Sequence, residues 1–393
     1  MKETGFKSSA GFNQSAPVAE NRLLLLSCLD CVDRGYLGEG ITESASKVRD
    51  WGYVLKQLIH HGTLLTFFGH IERLGLQSRV PEQFLKEVRQ MGSVLKYRNI
   101  RYSDEISRLA GIFAENSVNY VFVKGPLLLL NGYYSKENRF MNDIDVLLLD
   151  NCIPKVSGIL RSTGYSRPDD SEAGVKFKGE TQFIKNSDKE IIVEVSTRLN
   201  KNYELDNCYP FRNKDLEGRM FESRAGKLAF MNIENEFHFA YCLYHHAALN
   251  YLYRLNWLND LYLIYTKGAM DPVKLRGYLD KYNLNSSFGL FAGIFARYFR
   301  PLEGAGPVKL PAVVERVFLN GAAAFADLKY IESKEAVIRF SLISGILNKL
   351  DFILRKIFLP PEWLRFYYKL DKNTGVFRTY FFHLYSCLKR VLR

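Results

Sequence analysis

The run from Val121 to Leu149, VFVKGPLLLLNGYYSKENRFMNDIDVLLL, constrains this chain more than any other stretch. Tyr120 to Val123 are β-branched or aromatic and suit a short buried strand. Gly125 breaks that strand and Pro126 fits the first turn of a helix, so Leu127 to Tyr134 read as about two helical turns. Asp143-Ile144-Asp145 then heads a second apolar run, Val146 to Leu149. Side chains alternate along a strand, so Asp143 and Asp145 share one face while Ile144 and Val146 enter the core. Two carboxylates closing on one face repel each other unless a cation sits between them. A hard divalent ion such as Mg²⁺ takes carboxylate oxygens and fills its remaining positions with water and phosphate. The free backbone N–H groups at Gly125 and the start of the helix offer a place for that phosphate. A phosphate cradle beside a metal-binding Asp-x-Asp belongs to phosphoryl or nucleotidyl transfer. Taken alone, the same Asp-x-Asp also fits solvated carboxylates at a strand edge.

A third acid is within reach of the pair. Val175 to Lys185 and Glu190 to Arg198 read as a hairpin around Asn186-Ser187-Asp188-Lys189. In its second arm Ile192, Glu194 and Ser196 share one face, and Ile191, Val193 and Val195 the other. Glu194 is a lone carboxylate in an apolar strand, where an acid needs a partner or a cation. Its plainer reading is a solvent-facing residue on a half-exposed sheet.

The pattern Lys124-Gly125, Arg139-x-x-x-Asp143-Ile144-Asp145, then IIVEV, then His246 followed by RLNWLNDL resembles a poorly characterised nucleotidyltransferase family of the polymerase-β-like superfamily. The likeness runs from about Trp51 to the C-terminus, looser in the helical flanks. It implies an α+β fold: a small mixed β-sheet nucleotidyltransferase core with helical lobes on both sides. It also implies three acidic metal ligands, falling on Asp143, Asp145 and Glu194. Two positions depart from the superfamily pattern. Pro126 follows Gly125 where Ser is usual, and Ser196 stands where a His often follows the third acid.

On this reading Asp143, Asp145 and Glu194 hold Mg²⁺ or Mn²⁺, with Glu194 alternatively a general base. Lys124, Gly125 and Arg139 meet the phosphates of an NTP, and an acceptor hydroxyl of unknown identity takes the nucleotide. Arg139 also suits a structural ion pair. His246, Asn250, Arg254, Trp257 and Asp260 fall on one stripe of what reads as a single long helix. They serve either substrate contact or lobe docking, and docking is the preferred reading.

Length and composition set the frame. The 393 residues can bury a large core. They divide into a tail read as disordered (1–20), an N-terminal helical lobe (21–117), the core sheet (118–205), a C-terminal helical lobe (206–346) and basic, aromatic C-terminal helices (347–393). In the first lobe, Trp51 to Leu76 has helical periodicity, Pro81 begins a helix with Phe84, Leu85, Val88 and Met91, and a further helix runs from about Ser103 to Ser117. Adjacent His60 and His61 face different ways and make a poor metal pair. Cys28 and Cys31 form a C-x-x-C without a second pair, so zinc is not indicated. The N-terminus has no apolar signal region, and Leu23 to Cys28 is too short to span a bilayer, so a cytoplasmic protein without a transmembrane segment is expected.

The net charge of +12 calls for an anionic partner. Beyond Leu347, aromatic and aliphatic residues alternate with Lys and Arg, which suits peripheral contact with an anionic surface or an amphipathic segment packed on the core. The two differ in whether the apolar stripe is exposed. Two rivals to the transferase stand: a nucleotide-binding protein that keeps the fold without turnover, and a basic nucleic-acid binder. No separate nucleic-acid module supports a template-directed polymerase.

Overall fold

The computed structural model describes residues 18–30, 35–150, 152–167, 175, 179–306, 309–319 and 324–391. The chain opens with α1 (Val18–Leu26), α2 (Tyr36–Ala45), α3 (Trp51–His61), α4 (Leu64–Arg73) and α5 (Glu82–Glu115). The expected disorder of residues 1–20 lies outside the described residues up to position 17. Val18 to Glu20 instead begin α1, and Glu20 accepts the backbone N–H groups of Arg49 and Asp50. Leu23 to Leu26 are all buried, which explains an apolar run without a polar face. Cys31 also lies outside the described residues.

One expectation for this lobe is refined and one is corrected. The periodic run Trp51–Leu76 is two helices, because Gly62 takes the left-handed conformation at φ 67° and the Thr63 N–H closes back on the Leu58 carbonyl. That is a helix-ending motif glycine permits at little cost. In the other direction, the two helices expected between Pro81 and Ser117 are one helix of 34 residues. Gly92 and Ser93 weaken it by only about 1 kcal/mol relative to alanine, and its buried stripe is continuous. The middle of α5 supports the loop before Asp143. Asn99 Nδ2 donates to the Glu137 carbonyl (2.6 Å), Arg98 Nη1 to that of Met141 (2.5 Å) and the Tyr102 hydroxyl to that of Asn142 (2.7 Å).

The core follows as β1 (Tyr120–Phe122), α6 (Gly125–Leu130), β2 (Ile144–Leu148), α7 (Ile153–Ser162), β3 (Tyr165–Ser166), β4 (Glu180–Lys185) and β5 (Asp188–Ser196). Helix α6 starts at Gly125 and stops at Leu130, short of the expected Tyr134. The sheet order is β1-β2-β5-β4-β3, with β2 and β5 parallel and the other pairs antiparallel. This is the mixed sheet that the resemblance implies. Ile191, Val193 and Val195 are buried as alternation requires, leaving Glu194 on the opposite face.

A hairpin not anticipated within 206–346, β6 (Met220–Ala225) with β7 (Leu228–Ile233), forms a second small sheet. Then come α8 (Asn235–Leu243), a π-helical turn (Tyr244–Leu249), α9 (Leu255–Lys267), α10 (Pro272–Lys281), α11 (Asn285–Tyr298), α12 (Ala312–Phe318), α13 (Leu328–Glu332) and α14 (Glu335–Leu342). The single long helix expected through His246 and Asp260 is therefore broken. Tyr251 and Leu252 have positive φ (40° and 53°), and the chain turns between the π-helical turn and α9. The C-terminal part is α15 (Ile346–Ile357), α16 (Pro361–Tyr367) and α17 (Val376–Val391). Among the described residues no helix is long and apolar enough to cross a membrane.

Candidate active site

Parallel pairing of β2 with β5 sets Asp145 directly beside Glu194. Asp143, one residue before β2, shares their side of the sheet. Ligand atoms of Asp143, Asp145 and Glu194 all lie within 4.8 Å of one another, the one such acidic group among the described residues. They line a cleft of about 570 Å³ between the sheet and the C-terminal lobe.

Two lysines hold the negative charge in check. Lys124 Nζ lies 2.5 Å from Asp145 Oδ1, and both side chains are nearly inaccessible. The contact is electrostatic, because that oxygen is buried and receives no aligned hydrogen bond. Lys124 sits at φ 54°, outside the usual region for a residue with a side chain. Lys201 donates to Glu194 and lies 2.9 Å from Glu180. Burial pushes Asp145 up to about 8, and the neighbouring carboxylates Asp143 and Glu194 add to the rise against the pull of Lys124. Burial likewise raises Asp143. For Glu194 burial acts upward too, but Lys201 and Lys124 outweigh it and hold the group at about 2.

The donor set fits a hard divalent cation. It is all carboxylate oxygen, and it leaves room for water and phosphate on the cleft side. Gly125 lines the same cleft. A Cβ there would lie 3.1 Å from Met141 Cγ and 3.4 Å from Arg139 Nη2, so glycine lets the loop before β2 fold tightly over α6.

Arg139 also lines the cleft, but its guanidinium is engaged with protein partners. Its Nη2 donates to Asp260 Oδ2 at 2.8 Å, and it also reaches the Phe140 carbonyl. Asp260 accepts the Tyr134 hydroxyl at 2.7 Å and lies 3.5 Å from His246 Nε2. This buried network joins the loop before β2 to α9. His246 stacks on Trp257, with ring centroids 5.1 Å apart and planes at 8°. Trp257 and Arg254 reach the cleft. The Arg254 guanidinium lies over the Tyr253 and Trp257 rings, and its buried Nε has no hydrogen-bond partner. Of the stripe read from the sequence, Asp260 lies in the network, His246 meets the network and also lines the cleft, and Arg254 and Trp257 line the cleft.

Sequence reasoning missed Lys201, His245 and the C-terminal wall. His245 Nε2 lies 3.3 Å from Lys124 Nζ, and Leu359, Pro360 and Trp363 line the cleft. Lys201, seven residues after Glu194 and just past its strand, was the one with a legible signal: a cation placed to meet a lone acid.

A mixed sheet with three carboxylates on neighbouring strands over a cleft, flanked by helical lobes, defines a nucleotidyltransferase core. The family model described as an uncharacterised nucleotidyltransferase matches residues 47–300, and the chain belongs to that family. It is thereby a transferase in the broad sense. No curated protein matches the chain.

Proposed function

We propose that the chain moves a nucleoside monophosphate from an NTP to a hydroxyl acceptor, on a small molecule, a sugar or a protein, and releases pyrophosphate. The observation that carries this reading is the convergence of Asp143, Asp145 and Glu194 within 4.8 Å inside a cleft. Mg²⁺ or Mn²⁺ held by these three groups would neutralise triphosphate charge and acidify the acceptor hydroxyl. The acceptor oxygen forms a bond to the α-phosphorus, the bond from that phosphorus to the α–β bridging oxygen breaks, and the hydroxyl proton leaves to solvent. Lys124 and the Gly125 backbone face the phosphates. Arg254 and Trp257 supply a cation and a stacking surface on the opposite wall. Arg139 acts from behind, keeping the Gly125 loop seated.

One observation favours a second reading, a nucleotide-binding protein without turnover. Lys124 and Lys201 already neutralise the acids, so a cation must compete with them. Incubation with each NTP, Mg²⁺ or Mn²⁺ and a metabolite pool separates the two, with pyrophosphate and nucleotidylated products followed by mass spectrometry. Turnover that Asp143→Ala or Asp145→Ala abolishes, with the melting transition retained, supports the transferase. Nucleotide binding with no pyrophosphate under any condition supports the second reading. Turnover undiminished in both variants removes the triad from the site.

A further inference from the structure

The C-terminal helices are built inside out. In α15 the polar side chains face the protein: Lys356 Nζ meets Glu204 (2.9 Å), Arg355 Nη1 donates to the Tyr203 carbonyl (3.3 Å) and Asp351 accepts from Asn207 Nδ2 (3.2 Å). Phe352 is buried, but Ile346, Leu350, Ile353 and Leu354, at i, i+4, i+7 and i+8, with Leu347 beside them, are exposed on the opposite side. Helix α17 repeats the arrangement. Thr379 and His383 are buried, the Tyr380 hydroxyl donates to the Leu359 carbonyl (2.8 Å), and Phe377, Phe381, Leu384 and Tyr385 are exposed on one face. Single valines and aromatics are exposed elsewhere, but every exposed leucine and isoleucine among the described residues lies between Ile346 and Leu384. An amphipathic helix whose polar face is bonded to its own core has its apolar face free for something else.

We infer that α15 and α17 dock the protein on the surface of an anionic lipid bilayer, lying in the headgroup region without crossing it. The charge pattern selects this occupant. Residues 346–391 carry nine lysines and arginines against three acids. Lys369, Lys372 and Arg378 are exposed and have no acidic partner among the described residues. A second copy of the chain would bring the same cations against them, whereas anionic headgroups complement them. Trp363 and Tyr367 in α16 are of the type that favours the bilayer–water boundary. Trp363, Leu359 and Pro360 also line the acidic cleft, so docking places the cleft mouth at the headgroups. The inference is independent of the transferase reading, since neither the stripes nor the cations belong to the acidic site.

The full chain is floated with phosphatidylcholine vesicles, with and without phosphatidylglycerol, at low and high salt. Wild type floats with the anionic vesicles, and salt weakens that association. The double substitutions Leu350→Glu/Leu354→Glu and Phe377→Glu/Phe381→Glu each weaken it about tenfold or more, since apolar insertion is lost and negative charge added. Their melting curves stay at the wild-type position, because the side chains are exposed. Lys369→Ala, Lys372→Ala and Arg378→Ala together weaken binding to anionic vesicles only. The inference is overturned if wild type fails to float with anionic vesicles, or if the glutamate variants float equally well. It is also overturned if sedimentation shows a dimer that those variants dissolve and vesicles do not compete away.

Discussion

Removing the Asp260 carboxylate tests whether Arg139 is a lock between lobes or a phosphate ligand. The Asp260 side chain is 0% exposed and that of Arg139 7%. Alanine at 260 strands the guanidinium at the junction, and breaking one side of a buried pair costs about 3–5 kcal/mol. The Tyr134 hydroxyl loses its acceptor, though it still accepts from Asn259 Nδ2 at 3.0 Å, which adds about 1 kcal/mol. Asp260→Ala should therefore lower unfolding stability by about 4–6 kcal/mol. Asp260→Asn keeps the shape and an oxygen for Tyr134, and should fall between. The pair Arg139→Met with Asp260→Leu removes both charges and should recover most of the loss, because apolar replacement of a buried ion pair is about neutral or better. Urea titration followed by tryptophan fluorescence is the assay, with Trp257 stacked against His246 inside the junction. The lock is refuted if Asp260→Ala costs under about 1 kcal/mol, or if the double variant simply adds the two single losses. An Arg139 that served phosphate alone would leave stability intact and raise the KM for NTP. There is a pH signature too. Burial opposes ionisation of Asp260, yet Arg139 and His246 hold it below its ordinary value of 3.8. The stability it contributes is complete above that value and is lost as pH falls below it.

Two further outcomes follow from the buried titratable groups. His61 and His238 are fully buried, and burial drives them down to about 4 and about 3 from an ordinary 6.5. The unfolded chain takes up those protons first, so stability present above pH 6.5 should fall as pH drops toward 4. The expected slope approaches about 1.4 kcal/mol per pH unit for each histidine, and a flat urea-stability profile across that window would count against their neutral burial. Second, millimolar Mg²⁺ or Mn²⁺ should raise the melting temperature and EDTA should reverse it. Asp143→Ala should abolish that response while raising the metal-free melting temperature, since it takes one carboxylate out of a mutually repelling group. An unaltered metal response in Asp143→Ala would place the ion elsewhere.

What the sequence disclosed and what it withheld divide along a physical line. The Asp-x-Asp strand, the Glu194 arm and the Lys-Gly bend were legible because period-two alternation and a glycine–proline step act within a few residues. The parallel β2–β5 pairing that brings Glu194 beside Asp145 is non-local, and only the family resemblance pointed to it. Helix boundaries failed where one residue decided them. Gly62 ended a helix whose apolar period ran on, and α5 ran unbroken through the span from Met91 to Ser103 where the sequence reading divides it. The stripe from His246 to Asp260 survived in contact but not in geometry, because the π-helical turn and two positive-φ residues fold it into a corner. That corner brings His246 onto Trp257 and sets Asp260 against Arg139. Lys201 shows the same limit, since its opposite charge to Glu194 was visible and its distance was not. The C-terminal helices mark the far end of this scale. Periodicity locates an apolar stripe equally well whether it faces core or solvent, so amphipathicity could not orient α15 or α17. The orientation is set by bonds from Lys356, Arg355 and Asp351 to residues 144 to 152 positions earlier in the chain. Those bonds turn a pattern that ordinarily signals core packing into an outward-facing apolar surface beside the acidic cleft.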